Sequence, residues 1–204
     1  RVLVVDNEGK LIDGDQIMAA CALAMKNEGK LKNNTLVVTV LSNMGLFLMA
    51  EKHGINVLKT NVGDRYVLEA MLDGGHNLGG EQSGHIIFSD HNTTGDGLIS
   101  ALQFLQLLVK SGKTAKELAS VMTVLPQVMI NVKVENSKKY SYKDDDVILK
   151  EIARVEELLS GVGRVLIRPS GTEPCVRIML EGPELEVLQN EGEKIAEVMK
   201  ERLK

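Results

Sequence analysis

A short polar loop at residues 168–174 (RPSGTEP) combines the groups that proteins use to hold a phosphate. Arg168 carries a planar guanidinium that can bind two phosphate oxygens at once, and Ser170 and Thr172 add hydroxyl donors. Gly171 would let the backbone turn so that successive N–H groups face the same anion. The loop therefore predicts a phosphate site, while an ordinary Pro/Gly turn with an Arg–Glu ion pair is the structural alternative.

A second polar loop, residues 79–85 (GGEQSGH), lies directly before an apolar run. Glu81 and Ser83 can exchange hydrogen bonds with hydroxyl groups, and the imidazole of His85 could pass a proton. A glycine-rich turn with a structural histidine explains the same residues without a ligand. Together, the two loops predict a sugar-phosphate site in which one loop binds phosphate and the other binds hydroxyl groups.

Two further segments precede predicted helices. In residues 62–66 (VGDRY), Asp64 is well placed to cap the helix and Arg65 could reach a ligand, although capping alone explains Asp64. Residues 93–97 (TTGDG) are typical of turn and capping chemistry.

Two patterns imitate ligand sites. The triplet at 112–114 (GKT) resembles the end of a nucleotide P-loop, but the first glycine of that motif would fall on Leu107, and a helix precedes it where a strand should. Asp13 and Asp15 could suggest a divalent metal, yet a turn followed by a helix N-cap is the simpler explanation. We predict no metal site among these residues.

Composition excludes several classes of partner. The net charge is −4 with no dense cluster of Lys and Arg, so neither nucleic acid nor a membrane surface is an expected partner. Aromatic residues make up 3% and Trp is absent, so a sugar would be recognised by polar groups. Cys21 and Cys175 are expected to be buried free thiols. We find no signal peptide or membrane-spanning run, which predicts a cytoplasmic protein.

Strand and helix patterns alternate over the first part of the chain. Apolar and β-branched runs predict strands at 2–5, 35–41, 55–60 and 86–88, with helices at 15–28, 44–53, 64–73, 98–109 and a short one after Thr114. The run at 2–5 is all apolar, as in a buried strand, and suggests the carboxy-terminal part of a longer protein. Beyond about 125–131 the pattern becomes β-α-β-β-α. We therefore predict an α/β domain followed by a small α+β domain.

The two loops, taken together, resemble those of the α-D-phosphohexomutase superfamily, whose members have four domains around a central cleft. Residues 168–174 match the phosphate-binding loop of the fourth domain, and residues 80–85 match the sugar-recognition loop of the third. The glutamine at position 82, with residues 39–46 and 62–71, is most similar to the bacterial branch that acts on glucosamine phosphates. The resemblance covers essentially the whole chain.

The resemblance implies a fold and a division of the chain. Residues 1–12 would end the second domain, residues 13–127 would form an α/β domain with a mixed sheet and flanking helices, and residues 128–204 would form a TATA-box-binding-protein-like α+β domain. The strand at 2–5 would then leave an apolar edge that could pair with another copy, giving a possible homo-oligomer.

The resemblance also implies an activity. The whole enzyme would interconvert glucosamine 6-phosphate and glucosamine 1-phosphate through a phosphoserine and a sugar 1,6-bisphosphate, on the path to UDP-N-acetylglucosamine and peptidoglycan. The phosphoserine loop and the aspartates that bind Mg²⁺ are absent from this chain, so the chain alone should be inactive. The residues predicted for the site are His85 and Arg1 (catalytic), Glu81, Ser83, Asp64 and Arg65 (sugar-binding), and Arg168, Ser170, Gly171, Thr172 and Arg177 (phosphate-binding).

Two alternatives stay open from the sequence. A sister mutase that acts on mannose or glucose phosphates would carry similar loops. A stand-alone sugar-phosphate-binding module would need the two loops but no nucleophile.

Overall fold

A computed structural model describes residues 1–203, and the chain divides into two units, residues 1–124 and a second unit that begins at Leu125. The helices of the first unit are Gly14–Asn27 (α1), Met44–Lys52 (α2), Asp64–Gly74 (α3), Gly97–Ser111 (α4) and Ala115–Ala119 (α5). Its strands are Val4–Val5 (β1), Leu11–Ile12 (β2), Thr35–Thr39 (β3), Asn56–Thr60 (β4), Leu78–Gly80 (β5) and Ile86–Phe88 (β6).

The main sheet of the first unit is mixed. Its strand order is β4-β3-β5-β6, with β3 parallel to both β4 and β5, and with β6 antiparallel to β5. All five residues of β3 are buried, as expected for a central strand between helices. Leu36 and Val38 join the core that includes α1, and Val37 joins the core that includes α3. The predicted α/β architecture is confirmed.

The carboxyl ends of β3, β4 and β5 lie at one edge of this sheet because the three strands are parallel. The segments that follow them are residues 40–43, 61–63 and 81–85. This edge is the usual position of ligand sites in open α/β sheets. The sugar-recognition loop predicted at 79–85 begins inside the sheet, because Leu78–Gly80 pairs with both β3 and β6.

The expectation of a buried strand at residues 2–5 is wrong. Only Val4–Val5 is a strand, and it forms a two-stranded antiparallel hairpin with Leu11–Ile12. Leu3 and Val5 are exposed because successive side chains of a strand point to opposite faces, and these two point away from the core.

The second unit has a three-stranded antiparallel sheet of order β7-β9-β8, formed by Gln127–Lys133 (β7), Arg164–Pro169 (β8) and Cys175–Glu181 (β9). Its helices are Asp146–Leu158 (α6) and Leu185–Arg202 (α7), whose apolar faces share a core with the sheet. The sequence order is β-α-β-β-α, so the predicted α+β class is confirmed. Cys21 and Cys175 are buried and free.

No helix within residues 1–203 has the length and hydropathy needed to cross a membrane.

Candidate functional site

The loop between β5 and β6 is a compact turn at the carboxyl edge of the mixed sheet. The Glu81 N–H donates to the His85 carbonyl at 2.9 Å, and the Gly84 N–H donates to the Glu81 carbonyl at 3.0 Å. Gly84 has a φ of +85°, a left-handed conformation that favours glycine. Ser83 is exposed at the tip of the turn. The loop is therefore fixed by its own backbone and presents a hydroxyl to solvent.

Two carboxylates and a histidine meet at this edge. The Glu81 Oε1 atom accepts the Gly63 N–H at 3.2 Å. This bond joins residues 81–85, called the sugar loop below after their predicted role, to the start of α3. The His85 Nε2 atom lies 3.8 Å from Asp64 Oδ2, with the histidine side chain 18% exposed. Glu81, Asp64 and His85 therefore lie close together, at the loop that also carries Ser83.

Asp64 does not cap α3, so this expectation is wrong. The N-cap of α3 is Gly63, at a φ of +133°, and no side chain caps the helix. Asp64 is the first helical residue, and its carboxylate is left available to His85. Arg65 forms an exposed ion pair with Glu69, from Nε to Oε1 at 2.7 Å, so it does not join Asp64 and His85 in this arrangement.

The start of helix α1 packs against the backbone of the sugar loop. The Gly14 N–H donates to the Gln82 carbonyl at 2.9 Å, and Gln82 Nε2 donates to Asp13 Oδ2 at 3.1 Å. A Cβ at Gly14 would overlap the Glu81 carbonyl and lie 2.8 Å from the Gly84 N atom. Asp13 also forms a capping box with Gln16, so its interpretation as a turn and N-cap residue is confirmed.

Sequence reasoning missed several of these supporting residues. The fully buried Asp15 accepts the Asn43 N–H at 2.7 Å, which ties the loop after β3 to α1. Gly95 lies so close to His85 that a Cβ there would be 2.6 Å from the ring Cδ2 atom. The sequence did carry a signal for the close backbone contacts at the two helix starts, because the Asp13-Gly14 pair that begins α1 recurs as Asp96-Gly97 at the start of α4.

Arg1 lies near the sugar loop through its neighbour in sequence. The Val2 N–H donates to the Gly84 carbonyl at 3.0 Å, and the Arg1 carbonyl carbon would lie 2.8 Å from a Cβ at Gly97.

Asp96 caps α4 by accepting the N–H groups of Leu98 and Ile99 at 2.9 and 3.0 Å, which confirms the capping interpretation of residues 93–97.

The predicted phosphate loop connects β8 to β9. The Ser170 N–H donates to the Cys175 carbonyl at 2.9 Å, and Ser170 Oγ accepts the Glu173 N–H at 3.2 Å. The hydroxyl proton of Ser170 can still be donated to a ligand. The Nζ atom of Lys139, a buried residue, donates to the Ser170 carbonyl at 2.8 Å. These contacts fix the base of the loop.

The tip of the phosphate loop is open. Gly171 and Thr172 are exposed, and a Cβ added at Gly171 would meet no atom within 4 Å. Gly171 is not among the positive-φ residues, so the expected use of its conformational freedom is not observed. The space around both residues is available to a ligand.

Two arginines lie side by side at this loop. Arg168 and Arg177 are directly paired in the antiparallel register of β8 and β9, so their side chains share one face of the sheet. Burial and the positive charge of Arg177 lower the pKa of Arg168. Hydrogen bonds to Glu173 and Cys175 raise the pKa of Arg177. An anion would relieve the repulsion between the two guanidinium groups.

No group of three or more His, Cys, Asp and Glu side chains that could hold a metal ion occurs within residues 1–203. We assign no chemical step to a metal held by this chain.

The sequence matches two family descriptions in chain order. Residues 13–125 match "Phosphoglucomutase/phosphomannomutase, alpha/beta/alpha domain III", and residues 129–198 match "Phosphoglucomutase/phosphomannomutase, C-terminal domain". The chain belongs to the phosphoglucomutase/phosphomannomutase family, which confirms the predicted resemblance to phosphohexomutases.

Curated relatives extend the match over the whole chain. The phosphoglucosamine mutase of Ruminiclostridium cellulolyticum is 57% identical over 203 residues, which is 100% of this chain and 45% of the relative. That of Caldicellulosiruptor saccharolyticus is 55% identical over the same lengths. The chain thus spans about 45% of the length of these relatives.

A solved structure shows the same fold. The N-acetylphosphoglucosamine mutase of Aspergillus fumigatus superimposes with a TM-score of 0.80 at 22% identity, covering 98% of this chain and 46% of that one.

Proposed function

We propose that this chain is the sugar-recognition and phosphate-binding part of a phosphoglucosamine mutase, which interconverts glucosamine 6-phosphate and glucosamine 1-phosphate. The observation that carries the proposal is the pairing of Arg168 with Arg177 beside the exposed Thr172, in a chain 57% identical to a phosphoglucosamine mutase. Two adjacent cations with hydroxyl donors favour a phosphate dianion.

The chemistry of such an isomerisation explains why two loops are needed. A phosphoserine would transfer its phosphoryl group to the free sugar hydroxyl, so that the serine P–O bond breaks, a sugar P–O bond forms and the hydroxyl proton goes to a base. The resulting 1,6-bisphosphate would turn around and return its other phosphoryl group to the serine. One ligand must therefore be held in two orientations by the same receptor.

The residues of this chain would divide that work. Arg168, Ser170, Gly171, Thr172 and Arg177 would hold the phosphate that does not react. Glu81 and Ser83 would bind ring hydroxyls in both orientations, with Asp64 holding His85 beside them. His85 would orient the ligand or accept its proton, and His85→Ala in the whole protein should then lower kcat.

Arg65 and Arg1 would lie at the edge of the proposed site. The exposed Arg65 would bind the sugar phosphate only after leaving Glu69. By the resemblance to phosphohexomutases, Arg1 would follow a metal-binding segment of the whole protein, and its backbone contacts the start of α4 at Gly97.

The nucleophile and the metal ion would belong to the rest of the whole protein. Crystal structures of the Aspergillus fumigatus enzyme contain GlcNAc-6P with magnesium, or glucose 1,6-bisphosphate. By analogy we propose Mg²⁺ as cofactor, bound outside this chain, and a cytoplasmic role in the supply of UDP-N-acetylglucosamine for peptidoglycan. The chain alone should bind the sugar phosphate without turning it over.

The test is a calorimetric titration of glucosamine 6-phosphate into this chain and its Arg168→Ala variant. Loss of a bidentate charged donor should weaken binding by roughly tenfold or more. Arg202→Ala, which removes an exposed arginine of α7, is the matched control and should bind as the unaltered chain does. Equal affinity of the Arg168→Ala variant would contradict the phosphate assignment.

A second candidate function is supported by the family description, which names phosphoglucomutase and phosphomannomutase. Such a sister enzyme would use the same phosphate loop for glucose or mannose phosphates. Turnover of the whole protein on glucosamine, glucose and mannose phosphates separates the two, since the proposed enzyme should prefer glucosamine.

A further inference from the structure

Helix α4 has an apolar outer face. Its 15 residues, Gly97–Ser111, carry a single charged side chain, that of Lys110. Phe104 and Ser100 are buried on the inner side. The outer face carries a continuous apolar stripe formed by Leu98 (72% exposed), Leu102 (55%), Leu105 (52%) and Val109 (83%).

The spacing of this stripe is that of a helix contact surface. Its members follow one another at intervals of four, three and four residues, which places them in one row along the helix. A row of that length covers about 16 Å at 1.5 Å per residue. Scattered apolar residues are normal on a protein surface, but a continuous row marks a contact site.

Helix α7 shows what a solvent-facing helix of the same chain looks like. Its exposed positions beyond the first residue are polar or charged, among them Glu186, Gln189, Glu193, Glu197 and Lys200. Exposed helix positions in this chain can thus be polar, and the apolar outer face of α4 is a specific property of that helix.

The start of the stripe lies against the first residue of the chain. A Cβ at Gly97 would lie 2.8 Å from the carbonyl carbon and 3.1 Å from the N atom of Arg1, so the Arg1 backbone lies flat on Gly97. Leu98, the first member of the stripe, is the next residue of the helix. A polypeptide that continues before Arg1 thus starts beside the stripe.

Helix α1 shows how an equivalent helix is covered. It also begins with an Asp cap followed by a glycine, and Gly14 packs on the Glu81 carbonyl as Gly97 packs on Arg1. Unlike α4, it has a run of consecutive buried residues, from Ile17 to Ala22, that takes in every side of the helix. The two helices begin alike, but only α1 has its outer side covered by the described residues.

We propose that the stripe of α4 is the docking surface for an apolar, helical face of the polypeptide that precedes Arg1 in the whole protein. This inference rests on the proposed function, under which the chain is the carboxy-terminal part of a longer mutase. The curated relatives extend well beyond the match, which covers 45% of their length, so a partner of domain size is available. Attachment at Arg1 would keep that partner at a high effective concentration next to Leu98.

The test measures the accessibility of the stripe with and without the preceding polypeptide. Leu102→Cys places a thiol in the middle of the stripe, and Leu72→Cys places one at an exposed position of α3. The native Cys21 and Cys175 are buried and contribute little background, and burial raises the pKa of Cys21 to about 12. Both variants are labelled with a maleimide in the 204-residue chain and in the whole protein.

We expect the two thiols to react at similar rates in the 204-residue chain. In the whole protein the thiol of the Leu102→Cys variant should react at least about tenfold more slowly, since labelling then requires local opening, while that of Leu72→Cys should be unchanged. Equal rates for Leu102→Cys in both proteins would overturn the proposal. Protection of the 204-residue chain that increases with its own concentration would also overturn it, because the occupant would then be a second copy.

A second pair of variants guards against misfolding of the cysteine variant. Leu105→Glu should leave the unfolding midpoint of the 204-residue chain unchanged and lower that of the whole protein, whereas Leu72→Glu, at the exposed position of α3 outside the stripe, should change neither. An unchanged midpoint of the whole protein with Leu105→Glu contradicts the docking. Turnover of the unaltered whole protein on hexose phosphates is measured separately, so an inactive protein with a protected stripe would refute the proposed function alone.

Discussion

The two predicted ligand loops are held in different ways. The sugar loop at residues 81–85 is surrounded by backbone, because Gly14 packs on the Glu81 carbonyl and Val2 binds Gly84. The phosphate loop is anchored at Ser170 but exposed from position 171 to 174. One loop is positioned by close packing, whereas the other projects its tip into solvent.

The difference follows from what each loop is proposed to bind. Hydrogen bonds to sugar hydroxyls depend strongly on distance and angle, so their partners need a rigid support. A phosphate dianion is attracted over a longer range by charge, which tolerates a less constrained loop. We therefore expect backbone packing to determine the geometry of the sugar loop, and charge to determine the ligand affinity of the phosphate loop.

The largest effect should come from adding one methyl group to the sugar loop's support. Gly14→Ala forces a Cβ onto the Glu81 carbonyl, and overpacking against backbone should lower the free energy of unfolding by about 1–3 kcal/mol. Gly171→Ala in the phosphate loop meets no atom within 4 Å, so it should change that free energy by less than about 0.5 kcal/mol. Urea denaturation of both variants measures the contrast.

Equal stability of the two alanine variants would show that the sugar loop is as adaptable as the phosphate loop.

The next effect concerns Lys139, a buried anchor of the phosphate loop. Lys139→Met keeps the apolar stem but removes the donor to the Ser170 carbonyl, which should cost about 1–3 kcal/mol of unfolding free energy. The exposed Lys143→Met is the control and should cost less than about 0.5 kcal/mol. Thermal unfolding and a glucosamine 6-phosphate titration are measured on both. Unchanged stability with Lys139→Met would mean that the loop needs no anchor.

The sequence predicted the strands and helices whose side chains form a clear apolar or β-branched pattern. The β-branched run at Thr35–Thr39 predicted a strand, and the apolar periodicity of residues 98–109 predicted α4. Strand β5 was missed because two of its three residues are glycines, which favour a loop locally and become a strand only when β3 supplies a partner.

The support of the candidate site was harder to predict, for a similar reason. The loop residues themselves stand out by type, but the contact between Gln82 and Asp13 joins positions 69 apart in sequence. Asp64 was expected to cap α3, yet the N-cap is Gly63, at a φ of +133°. The neighbouring residues in sequence do not indicate that angle. Contacts between backbone segments that are far apart in the chain produce no recognisable pattern in the local sequence.

A smaller effect is expected from the side-chain bridge under the sugar loop. Gln82→Met removes the hydrogen bond to Asp13 with little change in volume, and should lower the unfolding free energy by about 1 kcal/mol. Sugar-phosphate affinity should fall a few-fold because Glu81 and Ser83 lose a neighbour that orients them.

The matched control is Gln189→Met, which removes an exposed amide–carboxylate bond to Glu193 on α7. It should leave both affinity and stability unchanged within about 0.5 kcal/mol. An affinity loss of equal size in both variants would show that Gln82 does not position the loop.

The smallest effect should be a gain of affinity in the phosphate loop. Glu173 pairs with Arg177 and would compete with a phosphate for the same guanidinium. Glu173→Gln keeps the side-chain shape but removes the negative charge, so glucosamine 6-phosphate should bind about two- to threefold more tightly at low salt, and the gain should shrink as salt screens the exposed charge. The control Glu186→Gln, at an exposed position of α7, should show no gain. A loss of affinity with Glu173→Gln would instead show that the carboxylate orients Arg177 for the ligand, and the phosphate loop would then depend on positioning as the sugar loop does.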